Sequence, residues 1–319
     1  MATSSSCSSL KQNFLVFLIV IISSIVNSPV NGCFTSIFSF GDSLTDTGNL
    51  LELSISESTK PPHSAFLPYG CTFFHRPTGR FCDGRLVIDF LAEALGFSFL
   101  PPFYGSKSGK WEKFQQGANF AVAGATALNS SFLAEQGIHS VSTNISLGVE
   151  VNSFKHLLLS LCSSSSNCKE LLRKSLIVMG EVGGNDYNHA FKQGKNIENI
   201  RRLVPLVVDI ISLSIKVRTD GSCLCFKLGF KETLKACCGI GGLYNYDPLI
   251  YCGYPPLKQC CNDPSSYISW DGIHYTEVVN KWLAHTVFEE LMNTIPRLGS
   301  LCPSSAVNKL RILYPMFGV

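Results

Sequence analysis

The sequence predicts an α/β fold with a parallel sheet, on three observations. Short apolar, β-branched runs alternate with stretches of helical periodicity, and each such run ends in a loop that carries glycine. The chain is also large enough for one substantial core, with 319 residues, 45% of them hydrophobic and 15% charged. In sheets of this kind the ligand site lies beyond the carboxyl ends of the strands.

Thr35 to Phe40 is the first such run, and it stops at Gly41-Asp42, as a buried strand does when it reaches a functional loop. Leu86 to Leu95 repeats apolar residues at Leu86, Phe90, Leu91 and Leu95 and is closed by Gly96, which predicts a helix. Phe120 to Ala127 is rich in small residues around Gly124. Val149 to Leu161 reads as a helix, and Leu176 to Met179 as a buried strand ending at Gly180. Ile197 to Val217 reads as one long helix that Pro205 bends. The last element, Thr276 to Met292, places Val279, Trp282, Leu283, Val287 and Leu291 on one face.

Residues 1–32 have the layout of a cleavable signal peptide: Lys11, an apolar run from Phe14 to Ile22, then small and polar residues to Gly32. The rival reading is a membrane anchor, but the apolar stretch is shorter than the roughly 20 residues a spanning helix needs. Residues 33–319 are then expected to form a single secreted domain without a stable membrane anchor. Its charge is close to balanced: the whole chain carries 26 basic and 23 acidic residues, and loss of Lys11 leaves 25 against 23. Nothing in that pattern suggests nucleic acid or an anionic membrane as partner.

Of fourteen cysteines, thirteen remain once Cys7 leaves with residues 1–32, and these are disulfide candidates in an oxidising compartment, the odd count implying a free thiol or an intermolecular bridge. They include Cys162 with Cys168, around the serine tract 163–166, and a cluster of Cys223, Cys225, Cys237, Cys238, Cys252, Cys260 and Cys261. A zinc site is the alternative for the cluster, but adjacent pairs are poor chelate spacings and C-x-x-C is absent, so no metal is expected. Asn129 and Asn144 begin glycosylation sequons.

Four separated segments carry chemistry: Gly41-Asp42-Ser43-Leu44, the glycine of Ala123-Gly124-Ala125, Gly183-Gly184-Asn185-Asp186, and Trp270-Asp271-Gly272-Ile273-His274. Each alone is weak, since a lone serine after a strand is most often a turn residue. Together they supply what acyl transfer needs. Ser43 is the candidate nucleophile, His274 its base, and Asp271 the group that orients the base. The backbone amides of Ser43 and Gly124 and the side-chain amide of Asn185 are candidate oxyanion donors. Asp186 and Tyr187 are expected to hold the loop beside Asn185. Tyr69, Phe73, Phe74 and Phe81 are either an acyl pocket or plain core, and His75 reads as a surface residue.

With these segments in hand, the chain resembles the plant GDSL esterase/lipase family, a branch of the SGNH hydrolases. The resemblance rests on all four segments in family order, and on Asn119 to Ala127, Ala236-Cys237-Cys238-Gly239 and Ser269 to Glu277. It implies a flavodoxin-like α/β/α sandwich, a small-molecule or lipid ester as substrate and no cofactor. It also implies the triad Ser43, Asp271 and His274, with an oxyanion hole of Ser43, Gly124 and Asn185. Thr45 stands where the G-x-S-x-G elbow of α/β-hydrolases has its second glycine, which separates this chain from that class.

One departure from the family bears on the fold. Similar proteins continue beyond the helix ending near Val217 through further strand and helix segments, whereas here Arg218 to Gly221 leads almost at once to Cys223. A strand-helix-strand unit takes about 30 residues, so sheet strands are expected to be missing. A shortened product and a divergent member are the two explanations, the first favoured because family character persists up to the join. The expected consequence is an exposed sheet edge, with alignment of Ser43 and His274 in question.

Overall fold

The structure is a computed structural model that describes residues 20–22, 34–105, 111–140, 142–215, 232–242, 244–247, 249–257 and 259–294. The rest of the predicted signal peptide, the join at 218–231 with Cys223 and Cys225, and the end of the helix predicted to reach Val217 lie outside the described residues.

A four-stranded sheet forms the centre. Its strands are β1 (Val20–Ile22), β2 (Ser36–Phe40), β3 (Gly117–Asn119) and β4 (Ser175–Met179), in the order β1-β4-β2-β3. β2 runs parallel to both β3 and β4, with Phe38 opposite Ala118 and Ile177. β1 runs antiparallel to β4, pairing Ile21 with Val178. The β4 side of the sheet is therefore paired by residues from the predicted leader.

Alternation along β2 explains the layers. Phe38 and Phe40 enter one apolar cluster with Phe120, Leu147, Leu157 and Val207, while Ile37 enters another with Leu86, Ile88, Leu176 and Val178. Side chains two apart share a face, so a strand apolar throughout must be covered on both sides. The first cluster is covered by α3 (Ser130–Glu135), α4 (Leu147–Leu161), α6 (Gly184–Lys192), α7 (Ile197–Arg201) and α8 (Leu203–Ile215). The second is covered by α2 (Val87–Ala94). Helices on both sides of a parallel sheet make the α/β/α sandwich. Each fully buried Phe, Leu or Ile contributes about 1.5–3 kcal/mol to it. Gly117 is required for closure on that sheet, because a Cβ there would strike the backbone of Ile37.

Two boundaries differ from the sequence reading. The long helix predicted from Ile197 is two helices, α7 and α8, broken at Arg202 rather than bent at Pro205. A proline ring clashes with the carbonyl four residues before it, here that of Arg201, so the break falls upstream and Pro205 sits in the first turn of α8. The serine tract between Cys162 and Cys168 is bridged as expected, but its second half begins a helix, α5 (Ser165–Arg173), capped by the Ser164 hydroxyl.

The carboxyl-terminal part stands beside the sheet. β5 (Glu232–Ala236) pairs in parallel with β6 (Tyr267–Ser269) in a separate two-stranded sheet, and α9 (Glu277–Thr294) follows. Cys237–Cys261 and Cys238–Cys252 are disulfides, so four cysteines of the cluster weighed as metal ligands are joined to each other. α9 packs on α2, held by Arg85 to Glu277 at 2.7 Å and by the Glu277 amide to Asp83 at 2.7 Å. A third apolar cluster, including Tyr69, Phe81, Ala123, Cys252 and Trp270, lies beneath the site.

Candidate active site

β2 delivers Ser43 to the carboxyl edge of the sheet. The turn after Phe40 is fixed from below, where buried Glu150 of α4 accepts the Gly41 amide at 3.0 Å, and the Asp42 amide donates to the Glu181 carbonyl at 2.8 Å. Asp46 ends the turn. Its carboxylate accepts the amides of Gly48 (2.7 Å), Leu50 (3.1 Å) and Ala123 (2.8 Å), along with that of Asn49. One side chain thereby satisfies three of the open N–H groups at the start of α1 (Asn49–Ser56) and ties them to the loop after β3.

That loop carries Gly124, whose φ of +86° lies in the left-handed region. A Cβ there would come within 2.8 Å of the Ser142 side chain. Asp186, near the start of α6, accepts the amides of Ala127 (2.8 Å) and Leu128 (3.0 Å), so it ties the loop that carries Gly124 to the start of α6. Beside it, the Asn185 amide nitrogen donates to the Ala125 carbonyl at 3.1 Å and to Asp42 at 3.3 Å.

Asp271 and His274 both lie on the link between β6 and α9. They precede the last helix, as α9 begins at Glu277. Asp271 Oδ1 accepts the amides of Ile273 (3.0 Å) and His274 (2.9 Å), a local turn that competes with helix. Gly272, at φ +92°, completes it. His274 Nδ1 lies 2.7 Å from Asp271 Oδ2, and its Nε2 lies 2.9 Å from Ser43 Oγ. The hydrogen-bond chain Ser43–His274–Asp271 is thus continuous across a sequence separation of 231 residues, even with the segment after Val217 shortened.

Burial sets the electrostatics. Burial pushes the Asp271 carboxyl up, but His274, with support from His63 and the Tyr69 hydroxyl, more than offsets this and holds it well below the usual carboxylate range. Asp42 goes the opposite way, raised well above its ordinary value by burial and then by Glu181. Burial raises Glu181 to about 7 and Asp46 to about 6.

Ser43, Phe81, Gly124, Asn185, Tyr251 and His274 all line one cavity of about 900 Å³. Asn144 stands exposed on its wall, and Asn129, also exposed, accepts a hydrogen bond from the Ser146 hydroxyl at 3.0 Å. Of the four aromatics considered from sequence, Phe81 reaches this cavity, its ring 5.0 Å from that of His274. Tyr69 is buried behind it, and Phe73 and Phe74 instead pack on Phe99. His75 is an exposed loop residue.

A profile of the GDSL-like lipase/acylhydrolase family matches residues 37–216. This chain belongs to that family. Membership makes it a carboxylic ester hydrolase, and curated plant relatives extend the match beyond the profile. A GDSL esterase/lipase of Arabidopsis thaliana is 39% identical over 375 residues, covering 92% of this chain and 95% of its own. Another from the same plant is 40% identical over 358 residues, covering 86% and 89%. The sinapine esterase of Brassica napus is 39% identical over 365 residues, covering 89% and 92%. The first alignment is 56 positions longer than the 319 residues of this chain, so the relative has at least that many residues without a counterpart here. The profile match stops at residue 216, where the sequence predicts the internal gap.

Among the residues that build this site, sequence reasoning assigned no role to Asp46 and left Tyr69 between pocket and core. An acid two residues before a glycine, ahead of the apolar Leu50 and Leu51, was the available signal for Asp46. Tyr69 offered none, because its partner lies 202 residues away.

Proposed function

We propose that the protein is a secreted serine esterase in which Ser43 attacks the ester carbonyl and His274 takes the serine proton. The observation that carries this reading is the 2.9 Å approach of His274 Nε2 to Ser43 Oγ, with Asp271 on the other ring nitrogen at 2.7 Å. Asp271 keeps Nδ1 protonated and stabilises the imidazolium, which leaves Nε2 free to accept. The carbonyl oxygen becomes negative as the serine adds, and the Ser43 and Gly124 amides with the Asn185 side chain are its donors. Asn185 must then exchange its bond to Asp42 or Ala125 for one to the oxyanion. His274 passes its proton to the departing alcohol, and water repeats the sequence to release the acid.

The lining of the cavity beside Ser43 includes the aromatic Phe81, Tyr246 and Tyr251 and the polar Asn144, Asn188 and Lys192. An ester with an apolar or aromatic part and a polar part suits such a lining, in the manner of a specialised metabolite. Export through residues 1–32 and glycans at Asn129 and Asn144 belong to the same proposal, as does a single domain over residues 33–319.

Hydrolysis of a short-chain p-nitrophenyl ester by wild type and Ser43→Ala tests the reading. The variant is expected to lose at least about a thousandfold in kcat. Equal rates for the two would end the proposal.

A second reading is a secreted chain that is folded poorly and inactive. It is favoured by the pairing of β4 with β1, because cleavage after Gly32 would remove that partner. A cooperative thermal transition in protein beginning at Cys33, with complete organophosphate labelling of Ser43, would exclude it.

A further inference from the structure

Asp271 accepts a fourth hydrogen bond that the triad does not require. Besides the amides of Ile273 and His274 and the His274 ring, its Oδ2 receives the Tyr69 hydroxyl at 2.6 Å. Tyr69 is wholly buried, its ring meeting Trp270 edge-on at 5.8 Å and Phe81 at 6.1 Å. A Cβ on Gly253 would come within 3.3 Å of the same ring, so that glycine lets the backbone close against it. The aromatic plane is therefore fixed by packing, and the hydroxyl is aimed at the carboxylate.

The other side of that hydroxyl meets His63 Nδ1 at 2.8 Å. A tyrosine hydroxyl has one proton, and a carboxylate at 2.6 Å takes it, so His63 must be the donor with Nδ1 protonated. Burial holds the His63 imidazole down at about 4, against a hydrogen bond to the Cys252 backbone that favours the charged ring, which leaves it neutral at ordinary pH. The ring is fixed in turn by stacking on Tyr251 at 5.2 Å and by edge contacts with Phe81 at 5.0 Å and Tyr254 at 5.7 Å. His63 also lines the substrate cavity.

We propose that Tyr69 and His63 are positioning residues for the Ser43–His274–Asp271 chain. Tyr69 fixes the direction of Asp271 Oδ2, and His63, from the cavity wall, fixes the direction of the Tyr69 hydroxyl. Both come from the loop following α1, so that loop sets the angle at which the carboxyl-terminal segment presents His274 to Ser43. The inference rests on the proposed triad. A carboxylate held by two local amides alone can rock about its Cβ–Cγ bond, and a small tilt is passed through His274 to the 2.9 Å contact with Ser43.

The test is a cycle of Tyr69→Phe, His63→Phe and the double variant, with rates expressed per organophosphate-titrated Ser43 so that misfolded protein is not counted. Tyr69→Phe keeps the packing and removes one bond to a charged group, so kcat is expected to fall roughly tenfold with KM within about twofold. Removing the hydroxyl dipole also leaves Asp271 a stronger counter-charge to His274. The acid limb of the kcat/KM profile is therefore expected to move to higher pH by a few tenths of a unit. Glu181, His63 and Tyr246 are the other titratable groups that bear on this pair, and Tyr69→Phe leaves their charges in place.

His63→Phe is expected to lower kcat less than Tyr69→Phe, His63→Gln to restore part of the loss by donating an amide N–H, and the double variant to match Tyr69→Phe alone. Wild-type kcat and pH profile in Tyr69→Phe would overturn the inference, as would fully additive losses in the double variant. If Tyr69→Phe yields no titratable serine, an unchanged kcat per site in His63→Phe would overturn it. Activity that survives Ser43→Ala would instead remove the triad itself, and so separates the two failures.

Discussion

Asp46 Oδ2 accepts the backbone amide of Ala123 at 2.8 Å, joining the loop that starts at Ser43 to the loop that carries Gly124. A single buried carboxylate thus sets the spacing between the proposed nucleophile and a proposed oxyanion donor. Its remaining acceptor positions are taken by the amides of Gly48, Asn49 and Leu50, so no smaller group can replace it.

Asp46→Asn keeps the shape but turns one acceptor oxygen into a donor facing N–H groups. At least one buried amide loses its partner and another meets a like donor, a loss expected to cost about 3 kcal/mol. Chemical denaturation at constant m-value measures it, and kcat is expected to fall further than the population of folded protein.

Gly124→Ala tests the second loop. Alanine at φ +86° is strained by about 1–3 kcal/mol, and its methyl group presses on Ser142 at 2.8 Å. The expected outcome is a kcat reduced by about tenfold or more with substrate binding less affected, since a displaced amide fails only when the oxyanion develops. Steady-state kinetics with one ester separates the two parameters.

Glu181 gives a pH prediction. Burial raises its folded value from 4.5 to about 7, and one of its carboxylate oxygens is buried without a hydrogen-bond partner among the described residues. Between those two values the folded state holds a proton that the unfolded state has released, so stability falls as pH rises through that window. Thermal midpoints of wild type are expected to drop more steeply from pH 5 to pH 7.5 than those of Glu181→Gln. The difference between the two curves is the readout, because Asp42, Asp46 and Glu150 are raised in the same direction.

Cys71 and Cys260 are free thiols in hydrogen-bond contact, and that contact holds Cys71 down at about 7. With oxidised glutathione, the Cys71 thiolate is expected to attack the disulfide and release one glutathione. Cys260 then displaces the second, closing an intramolecular bridge while the reagent is reduced to two thiols. Peptide mapping should recover Cys71 joined to Cys260, with buried Cys82 still reduced. In Cys71→Ser, Cys260 should stay open to alkylation.

The sequence was enough to place β2 and β4, the two central strands of the sheet, the helices α2, α4 and α9 and the stretch of α7 and α8, and to nominate Ser43, Gly124, Asn185, Asp271 and His274. β3, α1, α3 and α6 were not read from it. Strand and helix periods are local signals, written within ten or so residues. The motif segments are local as well, and this is why Phe38 and Ile37 could be read as buried before their opposite faces were known. The α7–α8 break was misplaced because the clash from Pro205 acts one turn upstream, on Arg201.

By itself, then, the sequence determined the family, the α/β class and which residue types stand ready for acyl transfer. Only the tertiary structure decided how Cys237, Cys238, Cys252 and Cys261 pair and which of the four aromatics reaches the cavity. It also decided that Tyr69 and His63 stand behind Asp271, and that Ser43 meets His274 with the passage after Val217 shortened. Each of these depends on contacts between distant segments, and neither composition nor periodicity encodes where the chain returns. The meeting of Ser43 and His274 survives because α9 is anchored to α2 through Arg85, Glu277 and Asp83. Those contacts aim the carboxyl-terminal loop at the end of β2 without needing the β5–β6 pair to join the central sheet.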